Sequence, residues 1–144
     1  MIDIDHFKRV NDTFGHLIGD EVLLLLARLM RESFRAQDQL YRFGGEEFVV
    51  LMRCADEATA RLSLERFRAA TEHHVFPQVS HIAVSIGFSA LHPGDTPSGA
   101  FERADKAVYH AKNHGRNHVC SYHTLVADGE IVESAAATGD IELF

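Results

Sequence analysis

Residues 42–48 read Arg-Phe-Gly-Gly-Glu-Glu-Phe. Strand-prone residues flank the glycine pair, Tyr41 and Phe43 before it and Phe48-Val49-Val50-Leu51 after it. Two glycines between such runs predict a tight hairpin over 39–52, because both accept the positive φ that hairpin turns demand. Glu46 and Glu47 follow the turn directly. Neighbouring strand residues point to opposite faces, so the two carboxylates are expected to serve different purposes. Taken alone, the stretch is equally well an ordinary hairpin with a charged, solvated tip.

A second acidic segment shifts that balance. Met1-Ile2-Asp3-Ile4-Asp5 reads as the end of a half-buried strand with Asp3 and Asp5 on one face. Acids at a strand end beside a hairpin that carries more acids can gather around one hard cation. Magnesium takes oxygen ligands, usually one or two carboxylates together with substrate phosphates. Acids placed on a sheet in this way also suit two-metal nucleotidyl transfer, in which the ions clamp the attacking and leaving oxygens.

Working outward, the strand at 1–5 leads into a long loop and then a helix over about 20–35, with Asp20 as its cap and Val22 through Ala27 as its apolar body. After the hairpin comes a helix near 56–72 opened by Asp56, then a strand at 81–90. Pro97-Ser98 opens a further helix to about 113, and His118–Tyr122 forms a last short strand. The order β-α-β-β-α-β is that of a ferredoxin-like split unit, so the predicted class is α+β.

The chain has 144 residues, 46% of them hydrophobic, enough for one core. No signal-peptide pattern or apolar run of ~20 residues is present. Cys54 and Cys120 form no metal-type spacing, which fits a reducing cytoplasm. The net charge of −7 is uneven: residues 124–144 hold five acids and no Lys or Arg, leaving 16 acids against 14 bases in 1–123. The folded part therefore offers no broad basic surface for a nucleic acid duplex. The acidic 124–144 segment is expected to be a linker stub, a mobile end or an added hairpin, with mobility favoured.

Three ordered blocks carry a resemblance. Residues 3–20 (DIDHFKRVNDTFGHLIGD), 42–48 (RFGGEEF) and 104–117 (ADKAVYHAKNHGRN) resemble the signature blocks of the GGDEF family, the diguanylate cyclases that join two GTP into cyclic di-GMP. The likeness covers residues 1–123 and implies a palm-type nucleotidyl cyclase sheet with an added C-terminal helix and strand. Family domains begin with a helix and an Asp-x-Leu-Thr stretch ahead of the first strand. Here the chain opens inside that strand, so it resembles an N-terminally shortened domain, expected to be weakly active or inactive alone.

The resemblance implies roles residue by residue. Asp3 and the carbonyl of Ile4 would ligate magnesium or manganese together with Glu46, which in the family is often assigned as base as well. Glu47 is the next candidate, for a second metal or for transition-state electrostatics. Asp5 is left as structural. Asp20 and Asn11 would read guanine, whose N1–H and N2 amine face an acceptor-only carboxylate, while adenine's N1 would oppose it. His16 would line the nucleotide pocket, and Lys8, Lys112 and Arg116 would meet the triphosphate. Arg35-Ala36-Gln37-Asp38 ends five residues before Gly44, the RxxD arrangement of the family's inhibitory product site, with Arg66 as a secondary contact.

Such a domain holds one GTP, so catalysis implies a two-fold homodimer. An upstream sensory or receiver domain is expected, with a cytoplasmic site or tethering through an upstream segment. The rival readings are a catalytically silent cyclic di-GMP receptor and an ATP-using cyclase. His110 and His114 stand four apart on a helix, a spacing that can grip zinc. No nearby carboxylate or cysteine completes such a site, and the segment is already assigned to phosphate contact, so metal binding is not expected there.

Overall fold

The computed structural model describes residues 1–133. The chain forms β1 (Ile2–Ile4), α1 (Phe7–Phe14), α2 (His16–Ser33), β2 (Gln39–Gly44), β3 (Glu47–Leu51), α3 (Glu57–His73), β4 (Val84–Phe88), α4 (Pro97–Asn113), β5 (Val119–Ser121) and α5 (Tyr122–Ala127). These strands make one sheet in the order β2-β3-β1-β4-β5. The first four are antiparallel, with Ile2 of β1 opposite Phe48 on one side and Ile86 on the other. β5 joins β4 in parallel. This is the α+β, ferredoxin-like βαββαβ sheet predicted, extended by α4 and β5.

Alternation along the strands builds two faces. Ile2, Ile4, Val84 and Ile86 join Leu26 and Met30 of α2 and Leu64 and Phe67 of α3 in the main core. Asp3, Ser85 and Gly87 fall at the alternate positions. α4 presses on that second face so closely that a Cβ on Gly87 would stand 2.3 Å from backbone atoms of Ala104 and Val108. Tyr122 and Leu125 then bury against Ala107 of α4. The sheet is thus covered by α2 and α3 on one side and by α4 on the other.

Helix signals acted locally where the caps are strong. The Asp56 carboxylate accepts from the Thr59 amide to open α3, and Thr96 opens α4 ahead of Pro97. Elsewhere the structure corrects the sequence reading. The expected loop after β1 contains α1, whose Phe7 and Val10 are buried. Gly15, at φ 88°, separates it from α2, which starts at His16. Asp20 therefore lies within a running helix and is not its cap. The strand expected over 81–90 is ordered as a ladder only over Val84–Phe88, because its partner β1 is three residues long.

Of the two hairpin glycines only Gly45 takes positive φ, at 43°, and the Arg42 guanidinium donates to its carbonyl at 2.8 and 3.2 Å. The segment from 124 onward begins as part of α5 instead of a tail, since burial of Leu125 holds it to α4. The remainder of that expected tail, 134–144, lies outside the described residues.

Candidate functional site

The acids converge where β1 meets the hairpin. Asp3 lies opposite Glu47 in the β1–β3 ladder, and the Ile4 amide donates to the Glu46 carbonyl at 3.4 Å. Asp3 is only 6% exposed. Its Oδ2 takes an ion pair from Lys112 Nζ at 2.7 Å, while Oδ1 is buried with no hydrogen-bond partner among the described residues. Burial raises the Asp3 pKa above the usual carboxylate range; Lys112 opposes the shift, and the negative charges of Glu46 and Glu47 add to it. A buried carboxylate oxygen without a donor, beside two half-buried glutamates, fits a hard divalent cation.

Asp5, one turn of the pleat further, is fully occupied. Its Oδ1 accepts from Ser85 Oγ at 2.6 Å and its Oδ2 from the Asn117 amide at 2.9 Å. It thus holds the segment after α4, in which Gly115, Arg116 and Asn117 all have left-handed φ (101°, 61° and 50°). The Asn117 side chain is clamped in turn, donating to Glu72 and accepting from Arg68, each at 2.8 Å. Hydrogen bonds from Arg68 and then from Asn117 hold the Glu72 carboxyl below its usual pKa. Sequence reasoning missed Asn117, Ser85, Arg68 and Glu72 as positioning residues. Only the glycine at 115 signalled an unusual turn.

The nucleotide-side candidates divide between α1 and α2. The Asn11 side chain lies directly over Gly19, where a Cβ would come within 1.8 Å of its Oδ1. Asp20, next to that glycine, lines a cleft of about 450 Å³ between α2 and the hairpin, with Leu23, Tyr41, Arg42 and Phe48. Lys8 and His16 are exposed on α1 and at the start of α2. Lys112 reaches the acids directly, and Arg116 is half-buried with its amide donating to the Ala111 carbonyl at 2.9 Å.

The RxxD segment forms a separate turn. The Asp38 carboxylate accepts from the Arg35 amide at 2.9 Å, leaving the Arg35 side chain exposed. Arg66 of α3 donates to the Ser33 carbonyl at 2.8 Å, which brings it beside the same turn.

A mixed five-stranded sheet with acids gathered at its β1–hairpin end is a palm-like cyclase architecture. Residues 1–118 match the family of the diguanylate cyclase GGDEF domain. The chain belongs to the GGDEF family.

It is 45% identical over 120 residues to diguanylate cyclase DgcP of Pseudomonas aeruginosa, covering 81% of this chain and 18% of that protein. It is 46% identical over 125 residues to response regulator PleD of Caulobacter vibrioides, covering 83% and 28%. The chain therefore spans under a third of these relatives' length. Among solved structures, the GGDEF domain of DgcB from Caulobacter crescentus, in complex with c-di-GMP, superposes with TM-score 0.79 at 33% identity, covering 85% of this chain and 75% of that one. The active GGEEF domain of a Vibrio cholerae diguanylate cyclase superposes at 0.77 with 41% identity, covering 84% and 79%.

Two predictions arise from this geometry. Asp3→Asn should raise the melting temperature by a few degrees near pH 7. A carboxyl whose pKa is higher in the fold than in the unfolded chain opposes folding above that pKa, and the cost fades as pH falls through the unfolded value of ~3.9. The advantage of the variant should accordingly shrink in melts below about pH 4. A variant less stable than wild type at pH 7 would show that the Lys112 ion pair outweighs the burial.

Gly19→Ala should leave stability within ~1 kcal/mol, since alanine favours helix. The new methyl must nevertheless displace the Asn11 carboxamide. The Asn11 side-chain amide resonances should shift, and unshifted ones would show that Asn11 does not lie over Gly19.

Proposed function

We propose that the chain is the catalytic domain of a diguanylate cyclase that condenses two GTP into cyclic di-GMP and two pyrophosphates. The observation that carries this reading is the buried, half-satisfied carboxylate of Asp3, set between Lys112 and the hairpin glutamates. Asp3, Glu46 and the Ile4 carbonyl would hold magnesium or manganese. When bound, the cation neutralises phosphate charge and stabilises the leaving pyrophosphate.

The 3′-hydroxyl of each GTP attacks the α-phosphate of the other, so that two O3′–P bonds form as the two α–β phosphoanhydride bonds break and two pyrophosphates leave. Glu46 is the candidate acceptor of the hydroxyl proton. Ligation would occupy some of its lone pairs, which makes Glu47 the alternative for charge work around the reaction. Asp20 and Asn11 read the guanine edge, and His16 lines its pocket. Lys8, Lys112 and Arg116 meet the triphosphate, with Lys112 already held by Asp3 at 2.7 Å. Each domain binds one GTP, so the reactive arrangement is a two-fold homodimer whose partner presents the second nucleotide.

Arg35 and Asp38, with Arg66 beside them, form the docking site for inhibitory cyclic di-GMP. An upstream sensory or receiver domain would set the dimer and hence the rate, with GTP supplied from the cytoplasm. No helix among the described residues is long and apolar enough to cross a membrane.

The direct test is incubation with radiolabelled GTP and magnesium, followed by separation of products. Cyclic di-GMP is the expected product. Binding of cyclic di-GMP without any synthesis, in a preparation shown to dimerise, would instead mark a receptor. Arg35→Ala should relieve product inhibition by at least tenfold in added cyclic di-GMP while leaving the initial rate unchanged. Equal inhibition of variant and wild type would remove Arg35 from the inhibitory site.

A further inference from the structure

The outer side of α4 carries a second set of donor atoms. His110 and His114 share one face of the helix, and their rings stack with centroids 3.8 Å apart and planes 11° apart. Lys112, two positions from each, points about 200° around the helix axis, so the Asp3 ion pair lies on the other side. The third donor comes from after α5. Gly129, at φ 73°, ends that helix with its amide bonded to the Val126 carbonyl, and the Glu130 amide bonds to Leu125 at 2.9 Å. This Schellman closure fixes the Glu130 backbone. The Glu130 side chain reaches back to α4, with Oε2 3.6 Å from His110 Nε2.

One donor atom from each of His110, His114 and Glu130 lies within 4.8 Å of the others. The sequence spacing of the two histidines suggested a grip on zinc but offered no third ligand. Glu130 supplies it from sixteen residues beyond His114. Each ring is oriented from behind. His114 Nδ1 donates to the His110 carbonyl at 2.8 Å, which leaves its Nε2 lone pair available. His110 Nε2 is buried with no hydrogen-bond partner among the described residues, and Cys120 Sγ lies 4.0 Å from its Nδ1, on the opposite ring edge. The same residues line a cleft of about 360 Å³ with Asp105, Lys106 and Tyr109. The charge of Lys106 is partly met by Glu102 at 2.9 Å.

We infer that His110, His114 and Glu130 form a zinc-class metal site separate from the acids of the sheet. Two imidazoles and a carboxylate are the borderline donors that zinc prefers over magnesium, and three protein ligands leave a fourth position for water. Tetrahedral ligation needs donors about 3.3 Å apart. The stacked rings aim their lone pairs along parallel lines, so ligation requires the exposed His114 to release the His110 carbonyl and turn, with Glu130, toward His110 Nε2. A bound ion would fasten the segment after α5 onto α4, and it would stabilise the fold by mass action.

The test is calorimetric titration of the full chain with zinc in excess magnesium, which occupies hard oxygen sites, paired with cobalt absorbance as a reporter of tetrahedral ligation. One saturable site per chain is expected, with a tetrahedral cobalt band that zinc displaces. Glu130→Gln and His114→Asn, both at exposed side chains, should each weaken binding at least tenfold, and His81→Asn should not. Wild-type affinity in either of the first two variants would overturn the assignment. So would the absence of a saturable site, or an equal loss in His81→Asn.

Discussion

Protein carrying Glu46→Gln should make cyclic di-GMP at least a hundredfold more slowly than wild type, with an unchanged circular dichroism spectrum and melting temperature within a few degrees. Glu46 is half-buried at the turn, and its backbone carbonyl, which receives the Ile4 amide, is untouched by the change. The amide cannot accept a proton and is a weaker ligand for a hard cation. Loss of a carboxylate near Asp3 should also relax the upward pressure on the Asp3 pKa. Measurement of turnover at saturating GTP and several magnesium concentrations checks the assignment. Near-normal turnover at all of them would move the chemistry to Glu47.

The largest effect on stability is expected from Gly87→Ala. The added methyl would meet the backbone of α4 at 2.3 Å from both the Ala104 oxygen and the Val108 nitrogen, with no flexible side chain to yield. The helix must back away from β4, loosening the face that carries Asp3 and Lys112. A cost of about 3 kcal/mol or more is expected, a drop on the order of 10 °C in melting temperature. Gly44→Ala is the informative control, because no described residue lies within 4 Å of its added methyl and its φ is ordinary. Equal melting temperatures for Gly87→Ala and wild type would mean that α4 does not pack as described.

Much of this organisation is legible locally. The hairpin, α3 and α4 announce themselves through a glycine pair, an aspartate cap and a Pro-Ser start, each a short-range signal. α1 is not legible because its eight residues are mostly polar and it opens at His6, which is left-handed and makes no side-chain cap. The helix forms because Phe7 and Val10 find the core, a fact of tertiary packing. For the same reason Asp20 passes for a cap in sequence, although four residues of helix already precede it.

Among the site residues, the acids are readable as residue types, and the resemblance assigned them roles. That Lys112 closes on Asp3, that Asp5 secures Asn117, and that Glu130 returns to His110 depend on contacts spanning 109, 112 and 20 residues, which no local pattern encodes.

The placement of β1 at the middle of the sheet has a consequence for biosynthesis. Ile2 and Ile4 leave the ribosome well before their ladder partners, Phe48 and the stretch Val84–Ile86. Asp5 waits longer still, for the amide of Asn117. At roughly 5–20 residues per second, the opening strand spends on the order of ten seconds as an unpaired, apolar segment. Contacts this distant in sequence also slow the search for the native topology. Nascent chains stalled before residue 84 should consequently be the species most dependent on chaperones, and release of the sheet to its native state should track emergence of β4, not of the hairpin.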